Sequence, residues 1–399
     1  MFAILTTSVG QSPAFESNEV SVSGSIGRPV WQNVSGSAIV STILVLLSAS
    51  ALLKPHEAAF AAGTANDGPG IAASWTTGNK VAVGTSADET SKVWFTVANG
   101  ITTEVFYPRL DIPNMQDMQY IVTDGSTFVD LERDATTHEI SMPDEKALEY
   151  TVANTDKRAT PKYRITNTYI TDPSNNTLLI RTRFQSLDGN SYQLYLLENA
   201  SMAGGGANNN AWWDQTSSAL MSSGTGTIFG SPTTVVSALK VASPNGFVAH
   251  ENGYSGAASD CYVELREAKA LTNQFDNIAT NGNVVQCGEI GNVGADTTFN
   301  VALGYGSDTA SAVAAADGSL AAGFADRELA YRGISPYAGG WNGYVNGPPR
   351  GARQCLQRYA ASPRLLRGRD DLTRRRRQNV WRGQRRRIRN AMGRFHQRR

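Results

Sequence analysis

Three glycine turns constrain this chain more than anything else in it. Asn99-Gly100, Asp124-Gly125 and Asp188-Gly189 each interrupt a run of apolar, aromatic and β-branched residues. The three stretches are "KVWFTVANGITTEVFYP", "QYIVTDGSTFVDLER" and "TLLIRTRFQSLDGNSYQLYLLE". Asn-Gly and Asp-Gly favour the positive φ angles of tight hairpins, so each predicts antiparallel pairing of its flanking runs. Short runs of this kind recur over residues 74–305, which predicts a mainly β protein built as a large antiparallel sandwich. Within one run, Leu178, Ile180, Thr182 and Phe184 alternate with Leu179, Arg181 and Arg183. That period of two predicts one face toward a core and one toward water. A chain of 399 residues that is 41% apolar can bury such a core.

The pattern changes at both ends. Residues 62–73 are rich in Gly and Ala and read as a linker, while residues 306–349 open on the alanine-rich "DTASAVAAADGSLAAGFADRELAYRG". The latter predicts a helical linker leading out of the sandwich, weakened at Gly318 and stopped at Gly333. Residues 1–61 form a leader whose uncharged core, Ala38 to Leu53, is too short for a typical membrane span. With the small-x-small sequence Ala59-Phe60-Ala61 it reads as a signal peptide, implying a secreted or periplasmic bacterial protein with no membrane span once matured. Two alternatives stand beside this reading. Translation starts further downstream, or residues 38–53 remain as a membrane anchor.

Charge divides sharply. Residues 350–399 hold 18 of the 36 basic residues, all arginine, and two of the 35 acidic ones, Asp370 and Asp371, so this tail carries +16 and the rest of the chain −15. An acidic body with a basic tail is one pattern of nucleic-acid or membrane-surface contact. Apolar residues in the tail are too sparse to offset the cost of ordering it, so disorder is expected.

Of three cysteines, Cys261 and Cys287 lie in the body. In an exported protein they read as a disulfide, with two buried free thiols as the alternative. His56, His138, His250 and His396 are scattered and no CxxC is present, so neither a metal site nor a cofactor is expected. The glycine-rich "MAGGGANNNAWWDQ" lacks the Lys-Ser/Thr of a phosphate cradle and reads as a surface loop. Trp212 and Trp213 are candidates for carbohydrate binding, because an exposed aromatic face suits the apolar face of a pyranose. The competing reading places one of the rings in the core. Asp117, Asp124, Asp130, Glu132 and Asp134 invite a glycosidase reading, which needs one acid and one base across the scissile bond. In hairpin-rich chains such residues more simply occupy turns and solvated faces, and no catalytic residue is assigned.

Between Ser74 and Val345 the chain resembles the amino-terminal domain of bacterial glucoamylases and glucodextranases of glycoside hydrolase family 15. The residues carrying the resemblance are "SKVWFTVANGITTEVFYPRLDIPNMQDMQYIVTDGSTFVDLERDATTH" from Ser91, "YRITNTYITDPSNNTLLIRTRF" from Tyr163, "NGNVVQCGEI" from Asn281 and "YAGGWNGYV" from Tyr337. The resemblance implies a galactose-mutarotase-like β-supersandwich and a helical linker. An (α/α)6 barrel would follow, holding both catalytic glutamates and releasing glucose from α-glucan ends with inversion. It further implies that the sandwich is non-catalytic, packs on and supports that barrel, and is a monomer whose partners are the barrel or α-glucan. A free-standing carbohydrate-binding module is the alternative. Preference for α-1,4 or α-1,6 linkages would be set in barrel loops.

The barrel would begin shortly after "GGWNGY", where this chain turns to arginine. Synonymous codons for Gln378 to Arg398 can be chosen so that the adjacent frame reads "KTFGGANVAASAMPWGDSTN", which is similar to the start of a family 15 barrel. Only the Trp of that string is forced, by Ala391-Met392-Gly393. A slipped, GC-rich frame accounts for arginine without lysine, so residues 350–399 are read as out of frame, the chain as truncated before its catalytic domain, and no specific nucleic-acid partner is expected.

Overall fold

A computed structural model describes residues 63–228 and 230–347. The leader core at 38–53, Cys355 and the arginine tail lie outside the described residues, and the readings placed on them rest on sequence alone.

Seventeen strands among the described residues form two antiparallel sheets. One sheet runs in the order β1 (Ala82–Thr85), β2 (Trp94–Ala98), β3 (Ile101–Phe106), β4 (Met115–Thr123), β10 (Tyr192–Ala200), β16 (Val284–Val293) and β14 (Ala249–Tyr254), with β5 (Val129–Leu131) paired to β4. The other runs β15 (Ile278–Gly282), β11 (Asn209–Asp214), β12 (Ala219–Ile228), β13 (Ser231–Ala242), β17 (Asp296–Gly306), β9 (Thr177–Ser186), β8 (Tyr163–Thr171), β7 (Tyr150–Asp156) and β6 (Thr136–Ser141). Short helices punctuate them: α1 (Glu132–Ala135), α2 (Cys261–Ala268), α3 (Thr309–Ala322), α4 (Phe324–Arg332) and α5 (Gly340–Asn346).

Two of the predicted hairpins form. Asn99 and Gly100 both take positive φ, 51° and 78°, and join β2 to β3. Gly125, at φ 75°, lies in the five-residue turn between β4 and β5, where the Asp124 carboxylate accepts from the backbone N–H groups of Ser126 and Thr127. The third does not form. Asp188 and Gly189 lie between β9 and β10, which belong to different sheets and do not pair. The turn chemistry is as expected, with Gly189 at φ 81° and Asp188 accepting from the Asn190 N–H. What redirects the chain is burial. Tyr192, fully buried, donates its hydroxyl to Asp188 at 2.7 Å, which anchors the start of β10 inside the opposite sheet.

The space between the sheets is filled by apolar side chains from both, among them Leu178, Ile180, Phe184, Leu194, Leu196, Leu239 and Leu303. The alternation expected in β9 places Leu178, Ile180, Thr182 and Phe184 on this inner face, all buried. Its other face is only partly wet. Arg183 is exposed and Arg181 half-buried, but Leu179 lies in a second core beneath the helices.

That second core explains the alanine-rich stretch. Ala312, Ala316 and Ser319 of α3 are fully buried against β13 and β17. A Cβ added at Gly304 would sit 2.5 Å from the Ala312 carbonyl oxygen and 2.6 Å from the Ala316 nitrogen. Helix backbone therefore rests almost directly on strand backbone, and only small residues fit between. The weak point expected at Gly318 is absent, because α3 runs through it; the helix breaks instead at Gly323, whose φ of 80° ends α3 and starts α4. Gly333, at φ 74°, terminates α4 as expected. This segment is a docked layer of the sandwich. The buried Tyr331 hydroxyl and the Trp341 indole reach the carbonyl oxygen of Thr85, and Arg332 forks onto the buried Glu149.

Candidate functional site

Four of the five carboxylates singled out in sequence are committed to holding turns or the core, and the fifth, Asp134, is an exposed partner of its neighbour Arg133. Asp117 is buried and accepts from the Asn199 amide at 2.8 Å. Asp130 binds the Arg158 guanidinium with both oxygens, at 2.6 and 2.9 Å, and accepts from the Tyr163 hydroxyl at 2.9 Å. Asp134 pairs with Arg133 at 2.9 Å, and Asp124 caps its own turn. Glu132 penetrates furthest. It is fully buried, with one oxygen on the Tyr120 N–H at 2.8 Å and the other taking the amides of Asn154 and Asn167. Burial pushes its carboxyl up to about 7 against the pull of those donors. "YITDP" ends β8, and its Asp172 accepts from Ser319, tying the strand end to α3.

Cys261, first residue of α2, is bonded to Cys287 of β16, with Cα atoms 6.1 Å apart. The bridge lies in a third core, formed where α2 covers the outer face of the smaller sheet with Leu265, Tyr195 and Leu197.

Trp212 and Trp213 do not act together. They are consecutive in β11, so their side chains leave opposite faces of the strand. Trp212 packs against the core under the helices, and Trp213 against the core between the sheets. Trp213 opens onto a cleft. This cleft, of about 460 Å3, lies where β11 approaches β14, and its lining includes Trp213, Gln215, Phe247, His250, Asp276 and Asn277. The rings of Trp213 and His250 stack with centroids 4.1 Å apart and planes 19° from parallel. The Trp213 indole N–H donates to the Gln215 side-chain oxygen at 2.9 Å, and the Trp213 backbone N–H to the Asn277 carbonyl. His250 Nδ1 lies 3.2 Å from the Asp276 carbonyl oxygen. A carbonyl only accepts, so Nδ1 carries the proton and Nε2 is left as an acceptor, with no protein partner among the described residues. Burial lowers the imidazole's pKa, which outweighs the attraction of Asp276. One carboxylate oxygen of Asp276 accepts from the Gly63 N–H at 3.1 Å.

Phe247, Val248, His250, Asn273, Asp276 and Asn277 are among the members of this cleft that sequence reasoning missed. Nothing local marks them, since they come from other strands and loops than Trp213. No group of three or more His, Cys, Asp or Glu side chains suited to a metal ion occurs among the described residues, and none of the described helices is long and apolar enough to cross a membrane.

The family described as glucodextranase, domain N, matches residues 65–346. A glucoamylase from Clostridium sp. (strain G0005) is 29% identical over 312 residues, covering 78% of this chain and 42% of that protein. The crystal structure of a bacterial glucoamylase complexed with acarbose superimposes with a TM-score of 0.59 at 26% identity, over 73% of this chain and 40% of that one. The chain thus spans about two fifths of the length of these relatives.

Proposed function

This chain belongs to the glucodextranase domain N family, and from that membership we propose that it is the non-catalytic N-terminal domain of an exported α-glucan glucohydrolase of the glucoamylase and glucodextranase kind. In this role it is a monomeric module that packs on and supports a catalytic (α/α)6 barrel of the kind that the family resemblance implies. The observation that carries the reading is the fate of the carboxylates. Glycoside cleavage needs an acid and a base facing one open space. Asp117, Asp130 and Glu132 are instead buried and spent on amide, guanidinium and hydroxyl partners within the sandwich. The docked helices fit a supporting role. Tyr331, Arg332 and Trp341 hold α4 and α5 rigidly to the sandwich, so a domain joined after them would inherit a fixed orientation.

The test is glucose release by the purified full chain from soluble starch, dextran and maltooligosaccharides, for which the expected result is none. Release that survives purification and disappears on substituting a carboxylate between residues 74 and 345 would overturn the assignment. The supporting role is measured by adding the chain to a glucoamylase catalytic domain stripped of its own sandwich. A rise in that domain's melting temperature is expected.

A further inference from the structure

We propose that the Trp213–His250 cleft is a binding site for the pyranose rings of α-glucan. The choice of α-glucan over other neutral sugars rests on the function proposed above. The site itself rests on its own geometry.

Three features of the cleft select a neutral, polyhydroxylated ring. The first is an amphipathic lining. Trp213 and His250, stacked on each other, line it together with Phe247 and with Val248, which is 47% exposed. Gln215, Asn273 and Asn277, all with amide side chains, are also among the lining residues. A pyranose has the same division, with C–H groups on its faces and hydroxyls around its edge. The second is the supply of acceptors. Sugar hydroxyls need acceptors as well as donors. Among the lining residues, His250 keeps Nε2 without a protein partner among the described residues, and Asp276 keeps a carboxylate oxygen that Gly63 does not engage. The third is charge. No Lys or Arg lines the cleft and one carboxylate does, which disfavours phosphates and other anions. A volume of about 460 Å3 falls within the roughly 300–1,000 Å3 typical of small-ligand sites.

The positions of these groups are fixed by the fold. Gln215 is held by the indole N–H, and Trp213 and Asn277 are joined through their backbones. His250 and Asn252, two residues apart on β14, both reach the Asp276 carbonyl oxygen, at 3.2 and 2.9 Å. Little ordering therefore remains to be done on binding.

The experiment is native affinity electrophoresis of the full chain in gels containing soluble starch, dextran, xylan or galactan, with titration of maltoheptaose by isothermal calorimetry. Retardation by starch or dextran, and a maltoheptaose affinity lowered at least about tenfold in Trp213→Ala, are expected. Trp213 also packs on the core, so Gln215→Ala and Val248→Asp serve as surface variants that leave folding intact; each is expected to weaken binding about threefold or more. Absence of retardation by every polysaccharide would overturn the site, as would glucan binding unchanged in all three variants. Equal, variant-sensitive retardation by xylan and galactan would overturn the α-glucan assignment. None of these outcomes bears on the non-catalytic reading, which fails only on glucose release.

Discussion

Tyr331 and Trp341 both place a donor on one acceptor, the carbonyl oxygen of Thr85, at 2.8 and 2.9 Å, and the single Tyr331 hydroxyl proton is shared with the Leu148 carbonyl oxygen at 2.9 Å. They come from different helices, α4 and α5, and Thr85 closes β1 at the edge of the smaller sheet. One backbone oxygen thus gathers the last two helices of the layer, and both donor side chains are buried.

Loss of one donor should be cheaper than loss of both, because the oxygen keeps a partner in each single variant. Tyr331→Phe and Trp341→Phe are each expected to lower stability by about 1 kcal/mol beyond any packing loss, and the double variant by more than the sum. Urea unfolding of the four proteins measures the coupling. Strict additivity would show that Thr85 is not their shared anchor.

Glu198 should make the protein less stable as pH rises. It follows Leu196 and precedes Ala200 on the inner face of β10, is fully buried, and neither carboxylate oxygen has a hydrogen-bond partner among the described residues. Burial lifts it from 4.5 to about 8. The folded chain keeps a proton there that the unfolded chain releases. The stability tied to that proton is therefore full below about pH 4.5 and is lost as pH climbs toward 8, at no more than about 1.4 kcal/mol per pH unit. Glu198→Gln cannot ionise. Its stability relative to the parent is expected to improve steadily between pH 5 and 8, read by thermal melts across that range; a constant difference would place Glu198 in a wetter site.

The Cys261–Cys287 bond closes a loop across 26 positions. On the chain-entropy account it contributes about 3 kcal/mol. Reduction, or Cys261→Ser with Cys287→Ser, is expected to lower the free energy of unfolding by that amount. Peptide mapping without reduction should recover Cys261 linked to Cys287, and two alkylatable body thiols in the native protein would refute the bond.

Glycines 304 and 189 should respond very differently to substitution. Gly304→Val would drive a side chain into the backbone of α3 and is expected to cost about 3 kcal/mol or more. Gly189→Ala meets nothing within 4 Å and suffers only its φ of 81°, for about 1 kcal/mol. Equal costs in denaturant titrations would contradict the close contact of α3 with β17.

The sequence by itself determined the class of the fold and its punctuation. Backbone preference at Asn99-Gly100 and at Gly333, and the period of two from Leu178 to Phe184, belong to the local chain, and all three are realised. The same period fixes that Trp212 and Trp213 leave opposite faces of a strand. It does not say which face meets a cleft. That depends on His250 and Asp276, which reach Trp213 only through the pairing of β11 with β15 and of β14 with β16. Tertiary structure likewise sent the Asp188-Gly189 turn from one sheet to the other, put Leu179 beneath α3, and broke the helix at Gly323 in place of Gly318. A turn residue specifies only its own φ and ψ. Which sheet receives the next strand is decided by where its buried face gains the most contact, and that is a property of residues far away in the chain.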